Sequence, residues 1–172
     1  MVLVSHSLAG EIATYFVRQY PHWVTGAVLV DTSLPEFYTE SETAKLVAAN
    51  EQQIAALETQ PQRRATRQLL AEADNYGSVH LAYHKLAWPQ SVPATAIVSS
   101  RTPFTTAADA QLWRRAQQEF VSAVPDRRLV VAQHSSHDIP IGRPGVVINA
   151  VQEMVHGSAL RREDGQPEPA AP

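Results

Sequence analysis

Ser7 is the residue around which this chain could do chemistry. It lies in Ser5-His6-Ser7-Leu8-Ala9-Gly10, directly after the short apolar run Val2-Leu3-Val4 and directly before a helical pattern. A serine at a strand-to-helix turn takes a strained backbone conformation, and its neighbours must be small so that strand and helix can close on each other. Ser5, Ala9 and Gly10 supply that smallness. Such a turn lifts the Ser7 hydroxyl out of the sheet and aims a helix N-terminus at it, so that the Leu8 N–H can donate to a developing oxyanion. A hydroxyl is a poor nucleophile until a base takes its proton, and the base implied here is a histidine. His134 and His137 both lie in Gln133-His134-Ser135-Ser136-His137-Asp138, just after the last apolar run. A carboxylate must then hold the imidazole tautomer. Asp31, in Val30-Asp31-Thr32, ends a buried run, where open α/β sheets place their active residues. Asp109 is the second candidate, although Thr106-x-x-Asp109 also matches a helix capping box.

The elements that would position these groups alternate. Val2-Leu3-Val4 is continuously apolar, as a strand covered on both faces is. A helix follows with Leu8, Ile12 and Phe16 on one face, stopped by Pro21, and Gly26-Ala27-Val28-Leu29-Val30 is the next buried strand. Together they form a βαβ unit, which makes the pairing parallel. From Leu34 to Pro93 the alternation lapses into three helices: one opened by the Thr39–Glu42 capping box, one from Pro61 to about Gly77, and a short one from Val79 to Ala87. Strands resume at Ala94-Thr95-Ala96-Ile97-Val98 and Leu129-Val130-Val131, separated by a helix carrying Leu112, Ala116 and Phe120. Pro144 starts a last helix, with Gly157 as its stop. The expected organisation is therefore a core of residues 1–33 and 94–157, a helical cap of 34–93, and a charged, proline-rich, disordered tail of 158–172. The fold class is α/β, a parallel sheet of about four strands with a helical cap insertion.

The hexapeptide around Ser7 resembles the nucleophile elbow of the α/β-hydrolase family, G-x-S-x-G, with Ser5 and Ala9 in place of the two glycines. The stretch from the last strand through His137 to Arg143-Pro144 is similar to the family's final strand, its loop-borne histidine after a small residue, and its proline-started helix. The resemblance favours His137 over His134, because Ser136 fills the small position. It implies a serine hydrolase acting on a small ester or related acyl substrate, with Ser7 as nucleophile, His137 as base, Asp31 or else Asp109 as the acid, and the Leu8 N–H as oxyanion donor. No cofactor and no metal are implied. Phe37, Tyr76, Tyr83 and Trp88 are available to line an apolar pocket.

The resemblance covers only the back half of that fold. Family members reach their nucleophile after five strands, whereas here it is residue 7. The strand whose following loop gives a second oxyanion donor is absent, and losing one such donor costs about 3 kcal/mol. The first strand would then be an exposed apolar edge, open to self-association. The expectation is a chain whose coding sequence begins upstream of Met1. The alternative is a catalytically incompetent half-domain or binding module that associates through its open edge.

Composition excludes other classes. The 172 residues are 44% hydrophobic and 18% charged, which is globular, and a net charge of −3 offers nucleic acid or an anionic membrane no general attraction. No apolar run approaches the roughly 18 residues of a spanning helix. There is no cysteine, hence no disulfide or thiolate site, which fits a reducing compartment, and the expected location is cytoplasmic. His80 and His84 are four apart, but Leu81 breaks the H-E-x-x-H zinc pattern, and they read as helix histidines. Arg63, Arg64 and Arg67 read as a solvated face, and Trp23, Trp88 and Trp113 as packing residues.

Overall fold

A computed structural model describes residues 1–59, 61 and 63–163. Four strands, β1 (Val2–His6), β2 (Gly26–Val30), β3 (Ala94–Ser99) and β4 (Arg127–Ala132), form one sheet in the order β1-β2-β3-β4, parallel throughout. Successive strands in sequence are thus neighbours in space. All their carboxyl ends fall on one edge of the sheet. The helices are α1 (Ala9–Gln19), α2 (Glu40–Glu58), α3 (Arg64–His84), α4 (Ala107–Ser122), α5 (Ile139–Gly142) and α6 (Pro144–Glu163).

The strands alternate as the pleat requires. Ala27, Leu29, Ala94 and Ala96 face one core with Ala13 and Val17 of α1 and Phe120 and Val121 of α4. Val28, Val30 and Ile97 face the other, with Ala150 and Met154 of α6. Covering both faces explains why β2 reads as an unbroken apolar run, and why β2 and β3 are buried at every residue. β1 is an edge strand whose Val4 is exposed.

The chain divides into two compact units, residues 1–34 with 87–172, and residues 35–86. In the second unit, Thr39 caps α2 by accepting the Glu42 N–H at 3.2 Å. Tyr38 and Tyr76 stack on His80, with ring centroids 4.2 and 3.9 Å away.

Four expectations are corrected. The face Leu8–Ile12–Phe16 is not the buried side of α1: Leu8 and Ile12 are 60% and 72% exposed, while Gly10, Ala13, Thr14 and Val17 are buried. Close approach decides this. A Cβ on Gly10 would lie 1.7 Å from Thr32 Cγ2 and 2.7 Å from the Ser33 carbonyl oxygen, so only the small-residue face can meet the chain after β2. Gly77 ends no helix, and α3 is a single helix from Arg64 to His84. Gly77 instead lets α2 come near, since its missing Cβ would sit 3.1 Å from Val47 Cγ2. Gly157 likewise stops nothing. α6 runs on to Glu163, and Ser158, whose hydroxyl donates to Met154 O at 2.7 Å, replaces the expected start of a disordered tail. Residues 164–172 of that tail lie outside the described residues. Finally, Phe37, Tyr83 and Trp88 are packing residues rather than exposed pocket lining: all three are buried, and Trp88 lies edge-on to Phe120.

Candidate active site

The carboxyl ends of β1, β2 and β4 bring Ser7, Asp31 and His137 together. Ser7 follows β1 directly and has φ 56°, the left-handed region that costs a residue with a Cβ about 1–2 kcal/mol. Backbone bonds hold it there. Its N–H donates to Val30 O at 3.2 Å, and its carbonyl accepts from Gly10 N at 3.1 Å and Ser33 N at 3.0 Å. Thr32 braces the same corner, its hydroxyl lying 3.2 Å from Ser5 O, and the buried Gln117 amide donates to Thr32 O at 2.8 Å. This network explains why Gly10 must touch Thr32 and Ser33: the turn is locked between the start of α1 and the chain leaving β2.

The Ser7 hydroxyl lies 2.8 Å from His137 Nε2, and His137 Nδ1 lies 2.8 Å from Asp31 Oδ2. A hydroxyl donating to Nε2 requires the imidazole proton on Nδ1, where the carboxylate accepts it. The His137 side chain is 24% exposed, and that of Asp31 is fully buried. Asp31 also has positive φ, 41°, and its N–H donates to Ile97 O at 2.6 Å.

Four donors converge on Asp31. Oδ2 accepts from His137 and from Ser99 Oγ at 2.6 Å, and Oδ1 accepts from the Ser99 N–H at 3.2 Å and Trp113 Nε1 at 2.9 Å. Burial by itself pushes the Asp31 carboxyl up. The hydrogen bonds from His137, Ser99 and Trp113 outweigh it and hold the group below the usual carboxylate value, so it stays ionised beside the imidazole.

The loop carrying His137 is fastened to the loop after β3. Ser100 Oγ and the Ser135 backbone exchange bonds of 3.0 Å in both directions, and Ser135 Oγ donates to Ala132 O at 2.7 Å. His134, at φ 57°, makes the turn between β4 and this loop and is exposed. Asp109 sits in the capping box of α4: its N–H donates to Thr106 Oγ1 at 3.2 Å, and the Thr106 hydroxyl donates to its Oδ2 at 2.6 Å. The acid that meets the imidazole is Asp31. Leu8 stands at the N-cap of α1 with no side chain capping that end, and the Gly10 and Glu11 N–H groups of the first turn donate back to Ser7 O and Leu8 O.

Three residues at the site carry roles their sequence positions do not announce. Trp113, read as packing, donates to Asp31 from 82 residues away. Ser99 closes on the same carboxylate, and His6 Nε2 lies 2.9 Å from His137 O. Only the placement of Ser99 at a strand's carboxyl end could have signalled any of them. His80 and His84 hold Tyr76 O and Pro35 O through Nδ1 at 2.7 and 2.8 Å. Among the described residues, no group of three His, Cys, Asp or Glu could hold a metal, and no helix is long and apolar enough to cross a membrane.

The four-strand parallel sheet recurs in solved structures. Tomato methylketone synthase I superposes with a TM-score of 0.56 at 13% identity, over 92% of this chain and 70% of that one. An epoxide hydrolase from Bacillus megaterium superposes with a TM-score of 0.53 at 16% identity, over 90% and 69%. The fold is that of the α/β-hydrolases. A hydrolase from Pseudomonas aeruginosa matches this α/β-hydrolase sheet at a TM-score of 0.50 and 15% identity, and the chain spans 63% of its length. No protein-family model matches the sequence, and no curated protein matches it significantly.

Proposed function

We propose that this chain carries serine hydrolase chemistry on a small carboxylic ester or related acyl substrate. Ser7 Oγ attacks the acyl carbon while His137 Nε2 takes its proton. Asp31, ionised and fixed by Ser99 and Trp113, orients the imidazole and stabilises the imidazolium that forms. The negative charge on the former carbonyl oxygen meets the Leu8 N–H at the start of α1. His137 then returns the proton to the leaving alcohol. Water, deprotonated by the same imidazole, releases the acid from Ser7. The scheme uses no cofactor.

The observation that supports this reading most strongly is the unbroken hydrogen-bond series from Ser7 Oγ through both imidazole nitrogens to a buried carboxylate. Each member stands at the carboxyl end of a different strand, and two of them hold a left-handed backbone that a merely structural polar contact would not need. The relatives by fold include a protein named as a hydrolase and one named as an epoxide hydrolase, which is compatible with the reading. Hydrolysis of p-nitrophenyl esters of increasing acyl length, by the wild type and by Ser7→Ala, tests it. Turnover that requires Ser7 supports the proposal, and identical rates for the two proteins would refute it.

A further inference from the structure

His6 is part of the Ser7 motif, yet the hydrolytic scheme leaves it unused. It ends β1 on the same face as Val2, which packs against the α6-side core, and so lies on the side of the sheet where the chain after β4 leads into α5 and α6. Its Nε2 lies 2.9 Å from the main-chain carbonyl of His137, and its ring centroid lies 4.7 Å from that of His137 with the planes tilted by 35°. A carbonyl only accepts, so His6 must carry its proton on Nε2. The residue before the proposed nucleophile therefore grips the main chain of the proposed base.

The grip falls on an exposed part of the His137 loop. Ser136 and Asp138 on either side of His137 are exposed, and the Ser100–Ser135 fastening lies two residues upstream, toward β3. Two residues downstream, Ile139 opens α5, its N–H also donating to His137 O at 2.8 Å and its side chain buried in the α6-side core, so the loop is anchored on either side and His6 grips the main chain of His137 itself. We infer that His6 is a positioning residue, whose hydrogen bond to the His137 carbonyl sets the distance between Ser7 and His137 by joining the two segments at a second point beside the reacting pair. The inference rests on the proposed serine hydrolase reading. A displacement of about 1 Å between nucleophile and base costs on the order of a hundredfold in rate, which is the scale of effect the tether controls.

Three variants separate the bond from the ring. His6→Gln places an amide N–H at about the reach of Nε2 without an aromatic ring, His6→Phe keeps a ring without a donor, and His6→Ala keeps neither. The readouts are kcat and KM for an activated ester, the melting temperature, and the downfield proton resonance of His137 Nδ1–H bound to Asp31. His6→Phe and His6→Ala should lose about a hundredfold in kcat with KM little changed, while His6→Gln stays within roughly tenfold of wild type. The Nδ1–H resonance should stay sharp in His6→Gln and broaden in His6→Phe, at similar melting temperatures. A His6→Phe variant as active as wild type with an unchanged resonance, or a His6→Gln variant as impaired as His6→Phe, would overturn the inference. If the wild type itself shows no Ser7-dependent turnover, the hydrolase reading falls, and the resonance in the same variants still decides whether His6 fixes the His137 loop.

Discussion

Replacing Asp31 by Asn should separate catalysis from folding. The side chain is isosteric, and the cavity around it is lined by four donors. The N–H groups of Ser99 and Trp113 both point at Oδ1, so an asparagine places its carbonyl oxygen there. Its NH2 then occupies the Oδ2 position, facing Ser99 Oγ and His137 Nδ1. Ser99 adapts, because its hydroxyl can donate to Arg101 O at 2.8 Å while its oxygen accepts from the amide. His137 cannot adapt without changing tautomer. With Nδ1 as acceptor, the proton moves to Nε2 and points at Ser7 Oγ, and the imidazole no longer acts as a base. The equivalent change in a Ser-His-Asp hydrolase lowers kcat about 10⁴-fold, which corresponds to about 5 kcal/mol of transition-state stabilisation. Stability should fall far less, by about 2 kcal/mol for weakened bonds to a formerly charged acceptor. Steady-state ester hydrolysis and urea denaturation of the same preparation measure both. Asp109→Asn is the control: Asp109 serves the α4 capping box, so the loss should be about 1 kcal/mol of stability with kcat unchanged. If Asp31→Asn kept activity within tenfold of wild type, or Asp109→Asn abolished it, the assignment of the acid would be wrong.

Other outcomes follow from the same contacts. Trp113→Phe removes one donor from Asp31 and should cost about 2 kcal/mol in chemical denaturation, with a rate loss well short of that of Asp31→Asn. Gly10→Ala drives a Cβ into Thr32 and the Ser33 carbonyl, so despite the helix preference of alanine it should lower stability by about 1–3 kcal/mol, read as a fall in melting temperature, and loosen the Ser7 turn. Because Asp31 holds its proton less tightly folded than unfolded, its contribution to stability is fully present above the unfolded value of 3.8 and is lost as pH falls through the lower folded value. Urea midpoints measured downward from pH 5 should therefore drop more steeply below pH 3.8 for wild type than for Asp31→Asn.

What could be read from the chain was local. Ser7 is legible because a strand, a turn of small residues and a helix start all fall within a few consecutive positions, Asp31 because it directly follows a buried apolar run, and His137 because it lies in the loop after the last apolar run. The choice between Asp31 and Asp109 depends on which strand end faces the imidazole, a relation across 106 residues that no local pattern carries. Trp113 and His6 were opaque for the same reason, since a tryptophan on a helix and a histidine on a strand have ordinary packing roles. Apolar spacing points to the wrong face of α1, because Gly10, whose lack of a side chain decides which side can approach Thr32, adds nothing to an apolar stripe. Gly77 and Gly157 look like helix stops. Tertiary contact overrides their propensity, which costs only about 1 kcal/mol per glycine.

The most direct measurement is site mapping of a fluorophosphonate adduct by mass spectrometry on the wild-type protein and on His137→Ala. A single adduct on the peptide containing Ser7, formed rapidly in the wild type and about a thousandfold more slowly without His137, is the predicted result. An adduct on any other residue, or labelling of Ser7 at the same rate in both proteins, would contradict an activated Ser7 hydroxyl.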